Sequence, residues 1–168
     1  MAQTLHKRKR EETQLKEIQF ENATFLPEII RLLDEGHTVT IRLRGVSMRP
    51  FLEDRRDKAL LTKAVNPAVG DPVLAEIQPH HFVLHRIIAI KDEQVTLRGD
   101  GNLMVEHCRL EDIKGAVIGF YRKGRKKLDR TDGRKWKTYS WIWTRLFPVR
   151  RYLLAFYRHI WLKLFKPI

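Results

Sequence analysis

Between Thr38 and Phe120 the chain repeats one pattern, a short β-branched or apolar run followed by a turn signal. Thr38-Val39-Thr40-Ile41-Arg42-Leu43-Arg44 alternates polar and apolar residues, the signature of a half-buried strand. Ala59 to Thr62, Pro72 to Ile77 (entered through a Gly70-Asp71 turn), Phe82 to Ile90, Gln94 to Val95-Thr96-Leu97-Arg98 and Gly115 to Phe120 follow. Lys91-Asp92-Glu93 is a polar link that suits a hairpin between two of these runs. Short strands with turn signals between them predict a mainly β domain.

The flanks differ from this core. Residues 1–21 are charged, lack periodicity and are expected to be flexible. A short helix is expected from Phe25 to Leu33, with Pro27 and Glu28 in its first turn and Gly36 as its stop. The β domain is bounded at 22–121, a basic linker at 122–135 and a helical tail at 136–168. Charge divides at the same place. Residues 1–121 hold 18 Lys/Arg and 18 Asp/Glu, whereas residues 122–168 hold 15 and 2, so the whole excess of +13 lies in the tail. The tail also carries all four Trp and 10 of the 16 aromatics. Trp136, Tyr139, Trp143 and Phe147 share one side of a first tail helix. From Pro148 onward Val149, Tyr152, Leu153, Phe156, Tyr157, Ile160, Trp161 and Leu164 form an apolar stripe, with Arg150, Arg151, Arg158, His159, Lys163 and Lys166 off it.

No apolar run reaches the roughly 18–20 residues of a transmembrane helix, and none follows the basic N-terminus as a signal peptide would require. The single Cys108 forms no internal disulfide, which suits a reducing compartment. The expected location is therefore the cytoplasm. The basic aromatic tail adds peripheral attachment at the inner membrane face.

One segment carries chemistry. Gly45-Val46-Ser47-Met48-Arg49-Pro50-Phe51-Leu52 sets a serine on a defined bend at a strand end. A serine hydroxyl needs a base to become nucleophilic, and His85, in the longest strand, titrates near neutrality. A third group is expected to hold the other imidazole nitrogen, and Asp100 or Glu106 is available after the next strand. Arg86, beside His85, points to the opposite face of its strand and reads as an exposed residue. Asp100-Gly101 is equally a favoured turn pair. Met48 packs the nucleophile turn into the core.

These residues resemble the signal peptidase I family and, in part, the self-cleaving repressor peptidases of the same superfamily. Gly45-Val46-Ser47-Met48-Arg49-Pro50-Phe51-Leu52 is similar to the family's nucleophile box, and Gly70-Asp71-Pro72-Val73 to its Gly-Asp-x-Val element. Leu84-His85-Arg86-Ile87 resembles the base box of the branch that uses histidine, and Gly99-Asp100-Gly101-Asn102 its Gly-Asp-x-Asn box. In that branch a second acid follows six positions on, where Glu106 stands. The resemblance spans Thr38 to Phe120 and implies a signal-peptidase-like coiled β-barrel core in a soluble, bacterial-like member. It implies a serine endopeptidase acting through a Ser47 acyl-enzyme, with His85 as base, on an extended peptide with small side chains before the cut. The chain departs from the family in having a short helix where a membrane anchor usually precedes the nucleophile box. It also has Gly45 where many members have serine, which leaves the oxyanion to backbone N–H groups of the 45–48 turn.

No metal or cofactor is expected, because His80-His81 and His107-Cys108 match no usual ligand spacing. A peptide or protein is the expected substrate. Aromatics at helical spacing argue against nucleic acid, since they favour burial over base stacking. The tail has three readings: packing on its own domain, binding a partner, or lying on an anionic membrane surface, which is preferred. The alternative to an enzyme is a catalytically silent peptidase fold that docks on a membrane or a partner peptide. A self-cleaving regulator is a third reading.

Overall fold

The computed structural model describes residues 25–168. The N-terminal stretch expected to be flexible, 1–21, lies outside the described residues. The first element is helix α1 (Leu26–Asp34), with Pro27 in its first turn. Its inner face buries Ile29 and Leu33 fully, while Glu28, Arg31 and Glu35 pair along the outer face.

Eight strands follow: β1 (Val39–Arg42), β2 (Lys58–Thr62), β3 (Pro72–Gln78), β4 (His81–Lys91), β5 (Gln94–Arg98), β6 (Glu106–Arg109), β7 (Ile113–Tyr121) and β8 (Leu128–Arg130). All pairings are antiparallel, in the order β1-β2-β7-β3-β4-β5-β6, with β8 on β7. The chain is therefore mainly β, as the alternating runs require. The two ends of the ladder, β1 and β6, do not pair with each other among the described residues, so no closed barrel forms there. β7 is the hub. One edge takes β2, and the other takes β3 at Ala116 to Ile113 and β8 at Gly119 to Tyr121.

Two strands lie where none was expected. β6 is four residues, Glu-His-Cys-Arg, too short and too polar to show an alternating pattern. β8 sits inside the basic stretch 122–135, where its outward-facing charges hide the pairing. Helix α2 (Arg134–Arg145) and helix α3 (Phe147–Phe156) complete the fold, α3 running on into a π turn at Tyr157–Trp161 and a last helical turn at Leu162–Leu164.

The core has two clusters. The larger joins Ile29 and Leu33 of α1 to Ile41, Met48, Phe51, Leu52, Leu61, Phe120 and Trp136. The smaller holds Val73, Ile87, Val95, Leu97 and Cys108 between β3, β4, β5 and β6. Burial of this kind supplies most of the folding drive, at about 25 cal/mol per Å2 of apolar surface. Burial pushes the Cys108 thiol up to about 11, so it is protonated at neutral pH.

The expected aromatic side of the first tail helix packs inward at three of its four positions. Trp136 and Trp143 are buried and Tyr139 stacks on Phe51 at 4.4 Å, whereas Phe147 remains 41% exposed under the Arg98 guanidinium. The long stripe of α3 is divided. Tyr157 turns inward with Leu154, and Tyr152, Phe156, Ile160 and Leu164 face solvent. Arg150, which lies off the stripe, is buried and donates to the Trp143 carbonyl. No helix among the described residues is long and apolar enough to cross a membrane.

Candidate active site

The strand β1 ends at Arg42, and the chain then bends through the segment that carries Ser47. Gly45 adopts φ +88°, a left-handed conformation that costs a glycine little. Its N–H donates to the Asp54 carboxylate at 2.8 Å, which fixes the entry to the turn. The Arg49 N–H closes the turn on the Val46 carbonyl at 3.1 Å, and the Leu52 N–H bonds the Met48 carbonyl at 3.0 Å. Behind it Arg49 pairs with Glu53 through Nε at 3.0 Å, and Asp57, fully buried, accepts from the Glu53 N–H and from Arg56. Burial pushes the Asp57 carboxyl up, but the Arg56 bond and the backbone donors outweigh it and hold it below the usual range. Ser47 itself is half-buried and Val46 is exposed, whereas Met48 is buried as expected.

His85 lies in β4 with 3% of its surface exposed. Its Nδ1 is hydrogen-bonded to the Glu106 carboxylate, which β6 presents from the far side of β5. Of the two acids left open by the sequence, the one at the imidazole is Glu106. Burial pushes the His85 pKa below its usual 6.5, against the opposing pull of Glu106. Burial thus favours the neutral form of the ring. With Nδ1–H donating to a carboxylate, the lone pair is left on Nε2.

The loop from Gly99 to Asn102 brings these parts together. The Gly101 N–H donates to the Ser47 carbonyl at 2.7 Å. A Cβ on Gly99 would stand 2.4 Å from the Ser47 carbonyl oxygen and 2.9 Å from His85 Nε2. Ser47 and the imidazole therefore flank the same spot, and only glycine lets the loop pass between them. This loop is the physical reason a Gly-Asp-x-Asn sequence stands here.

Asp100 has another partner. It forms a bidentate pair with Arg86, Nε to Oδ1 at 3.0 Å and Nη2 to Oδ2 at 2.7 Å, and both residues are about 1% exposed. The Tyr139 hydroxyl donates to Asp100 Oδ2 at 3.0 Å, and the Trp143 indole N–H donates to its carbonyl at 3.0 Å. Arg86 also donates to the Gly70 carbonyl at 2.9 Å and to Ser140 Oγ at 2.5 Å, under the Trp136 ring. The expectation of an exposed Arg86 is thus corrected. The side of β4 that carries Arg86 is covered by α2, a packing no strand periodicity reveals. Burial works against the Arg86 charge, but Asp100 outweighs it and raises its pKa.

Tyr139, Ser140 and Trp143 are the residues sequence reasoning did not connect with the loop. The available signal was an arginine in the middle of a mostly apolar strand, which needs a buried acid to be tolerated when it is covered.

A depression of about 40 Å3 adjoins Ser47, lined by Leu43, Gly45, Met48, Leu52 and Leu84 among others. Two larger surface hollows, about 390 and 490 Å3, lie elsewhere and contain neither serine nor cysteine. Among the described residues no cluster of His, Cys, Asp and Glu is arranged to hold a metal ion. No family model matches the chain, and no curated protein matches it either.

Proposed function

We propose that the chain is a serine endopeptidase in which Ser47 is the nucleophile, His85 the general base and Glu106 the group that orients the imidazole. The observation that supports this reading is the packing at Gly99, where the Ser47 main-chain carbonyl and His85 Nε2 both approach one point while Glu106 occupies the other imidazole nitrogen. His85 Nε2 takes the Ser47 Oγ proton as Oγ attacks the peptide carbonyl. The tetrahedral oxyanion is held by backbone N–H groups of the Ser47 turn. The Gly45 N–H does not take part, because it is committed to Asp54. The protonated imidazole then gives its proton to the departing amine, and a water deprotonated by His85 hydrolyses the acyl-enzyme.

The depression of about 40 Å3 beside Ser47, lined by Leu43, Leu52 and Leu84 together with Arg44 and Glu53, is small, which favours small residues. The resemblance to the histidine-type signal peptidases points to the same preference and to a coiled sheet of that family's kind. Asp100, by contrast, is assigned to positioning through Arg86 rather than to proton transfer.

Replacing Ser47 by Ala tests the reading. Cleavage of extended peptides with alanine or glycine before the scissile bond is expected to fall at least about 10,000-fold, and labelling by a fluorophosphonate to vanish. Undiminished cleavage or labelling in Ser47→Ala would sink the assignment and leave a peptide-docking module as the remaining reading of the same turn.

A further inference from the structure

We propose that the segment from Phe147 to Phe165 docks on the surface of an anionic phospholipid bilayer, with the outward stripe of α3 as the inserting face. In a folded chain the apolar residues of an amphipathic helix normally turn inward. Here Leu154 and Tyr157 do so, but the neighbouring row does not. Tyr152 is 65% exposed, Phe156 51%, Ile160 47% and Leu164 69%. The row continues in Phe165 at the end of the last turn, so one face of the segment is apolar and open to solvent over its whole length.

Charge decides between the possible covers. From Phe147 to Phe165 the charged residues are Arg150, Arg151, Arg158 and Lys163 with no Asp or Glu, and of these only Arg150 is buried. A second copy of this chain would set the same cationic face against itself, which is repulsive. A bilayer of anionic lipids matches both features at once, since acyl chains receive the apolar row and headgroups receive the cations at roughly 1 kcal/mol each. The aromatic residues suit the interfacial depth. Trp141 is exposed with the Arg145 guanidinium 4.0 Å from its ring centre, and Arg151 lies 5.2 Å from the Tyr152 ring. No helix among the described residues is long enough to span, so the segment lies in the interface plane.

The same segment is tied to the loop beside Ser47. Arg158 donates to the Gly101 carbonyl at 3.0 Å, and Arg56 donates to the Ile168 carbonyl at 2.8 Å, next to its pairing with Asp57. The docking segment is thus hydrogen-bonded directly to the Gly99–Asn102 loop. The docking itself requires neither Ser47 nor His85.

Flotation with vesicles tests it. The full chain is expected to float with phosphatidylcholine–phosphatidylglycerol vesicles and not with phosphatidylcholine alone. Binding should fall steeply at about 1 M salt, where the Debye length shrinks to roughly 3 Å. The double variant Phe156→Glu/Ile160→Glu alters only exposed side chains and should keep the wild-type melting curve. Its vesicle affinity should fall at least about tenfold. The Ser47→Ala chain should float like the wild type, which separates loss of docking from loss of peptidase activity. Absence of flotation in the wild type, or equal flotation of the double variant, overturns the proposal. So does a dimer in solution that the double variant dissolves without any vesicle binding, since the stripe would then belong to a second copy.

Discussion

His85 and Arg86 are neighbours on β4, and each has a carboxylate partner from the region after β5, yet the two pairs are treated oppositely. Glu106, at the imidazole, keeps 31% of its side chain exposed, whereas Asp100, at the guanidinium, keeps 1%. The first pair contains an imidazole whose pKa burial lowers, near a half-buried serine. The second is a permanent ion pair sealed by Tyr139, Ser140 and Trp143 of α2. The difference teaches that one strand can carry a partly accessible ion pair on one face and a sealed clamp on the other. The clamp also fixes the loop that packs against Ser47 and His85, because Gly99, Asp100 and Gly101 are consecutive.

The comparison breaks most sharply at the two acids. Glu106→Gln is expected to lower peptide cleavage about 1,000-fold or more while leaving the chain folded. The acid limb of its pH–rate profile should move to lower pH, because the carboxylate that favours the imidazolium is gone. Asp100→Ala strands a buried guanidinium and should cost about 3–5 kcal/mol in denaturant unfolding. If the two variants exchange these effects, the division of labour is wrong.

Gly99→Ala sharpens the link between the pairs. Its methyl group would collide with the Ser47 carbonyl and His85 Nε2, so the loop must retreat. A stability loss of about 1–3 kcal/mol is expected, with a fall in cleavage larger than that loss explains. Equal activity of Gly99→Ala and wild type would show that the close approach has no functional weight.

The smallest effect is a titration. His85 has a folded pKa below the usual 6.5, so the unfolded chain takes up its proton first as pH falls. Stability is therefore present above pH 6.5 and is lost as pH drops through the folded value, with a slope of at most about 1.4 kcal/mol per pH unit. The urea midpoint should fall as pH falls across this window in the wild type and depend less on pH in His85→Gln.

Much of the sheet was legible because half-buried strands announce themselves by alternation. The runs at Lys58–Thr62, Pro72–Gln78, His81–Lys91 and Gln94–Arg98 lie within a residue or two of their expected limits. β6 and β8 were not legible, since their pairing depends on neighbours rather than on their own composition. The linker composition of 122–135 is real, yet Arg122 is buried there and donates to the Phe51 carbonyl.

By itself the sequence determined the mainly β class, the helix before β1, and a serine on a glycine-entered turn paired in expectation with His85. Those are local properties, set by periodicity, by glycine conformation and by side-chain chemistry. Only the tertiary structure decided which acid serves the imidazole, that Arg86 is buried, and that part of the α3 stripe stays uncovered. Each depends on what arrives from distant segments. Glu106 reaches His85 through the β5–β6 register, and Arg86 tolerates burial because α2 and the Gly99–Asn102 loop both close over it.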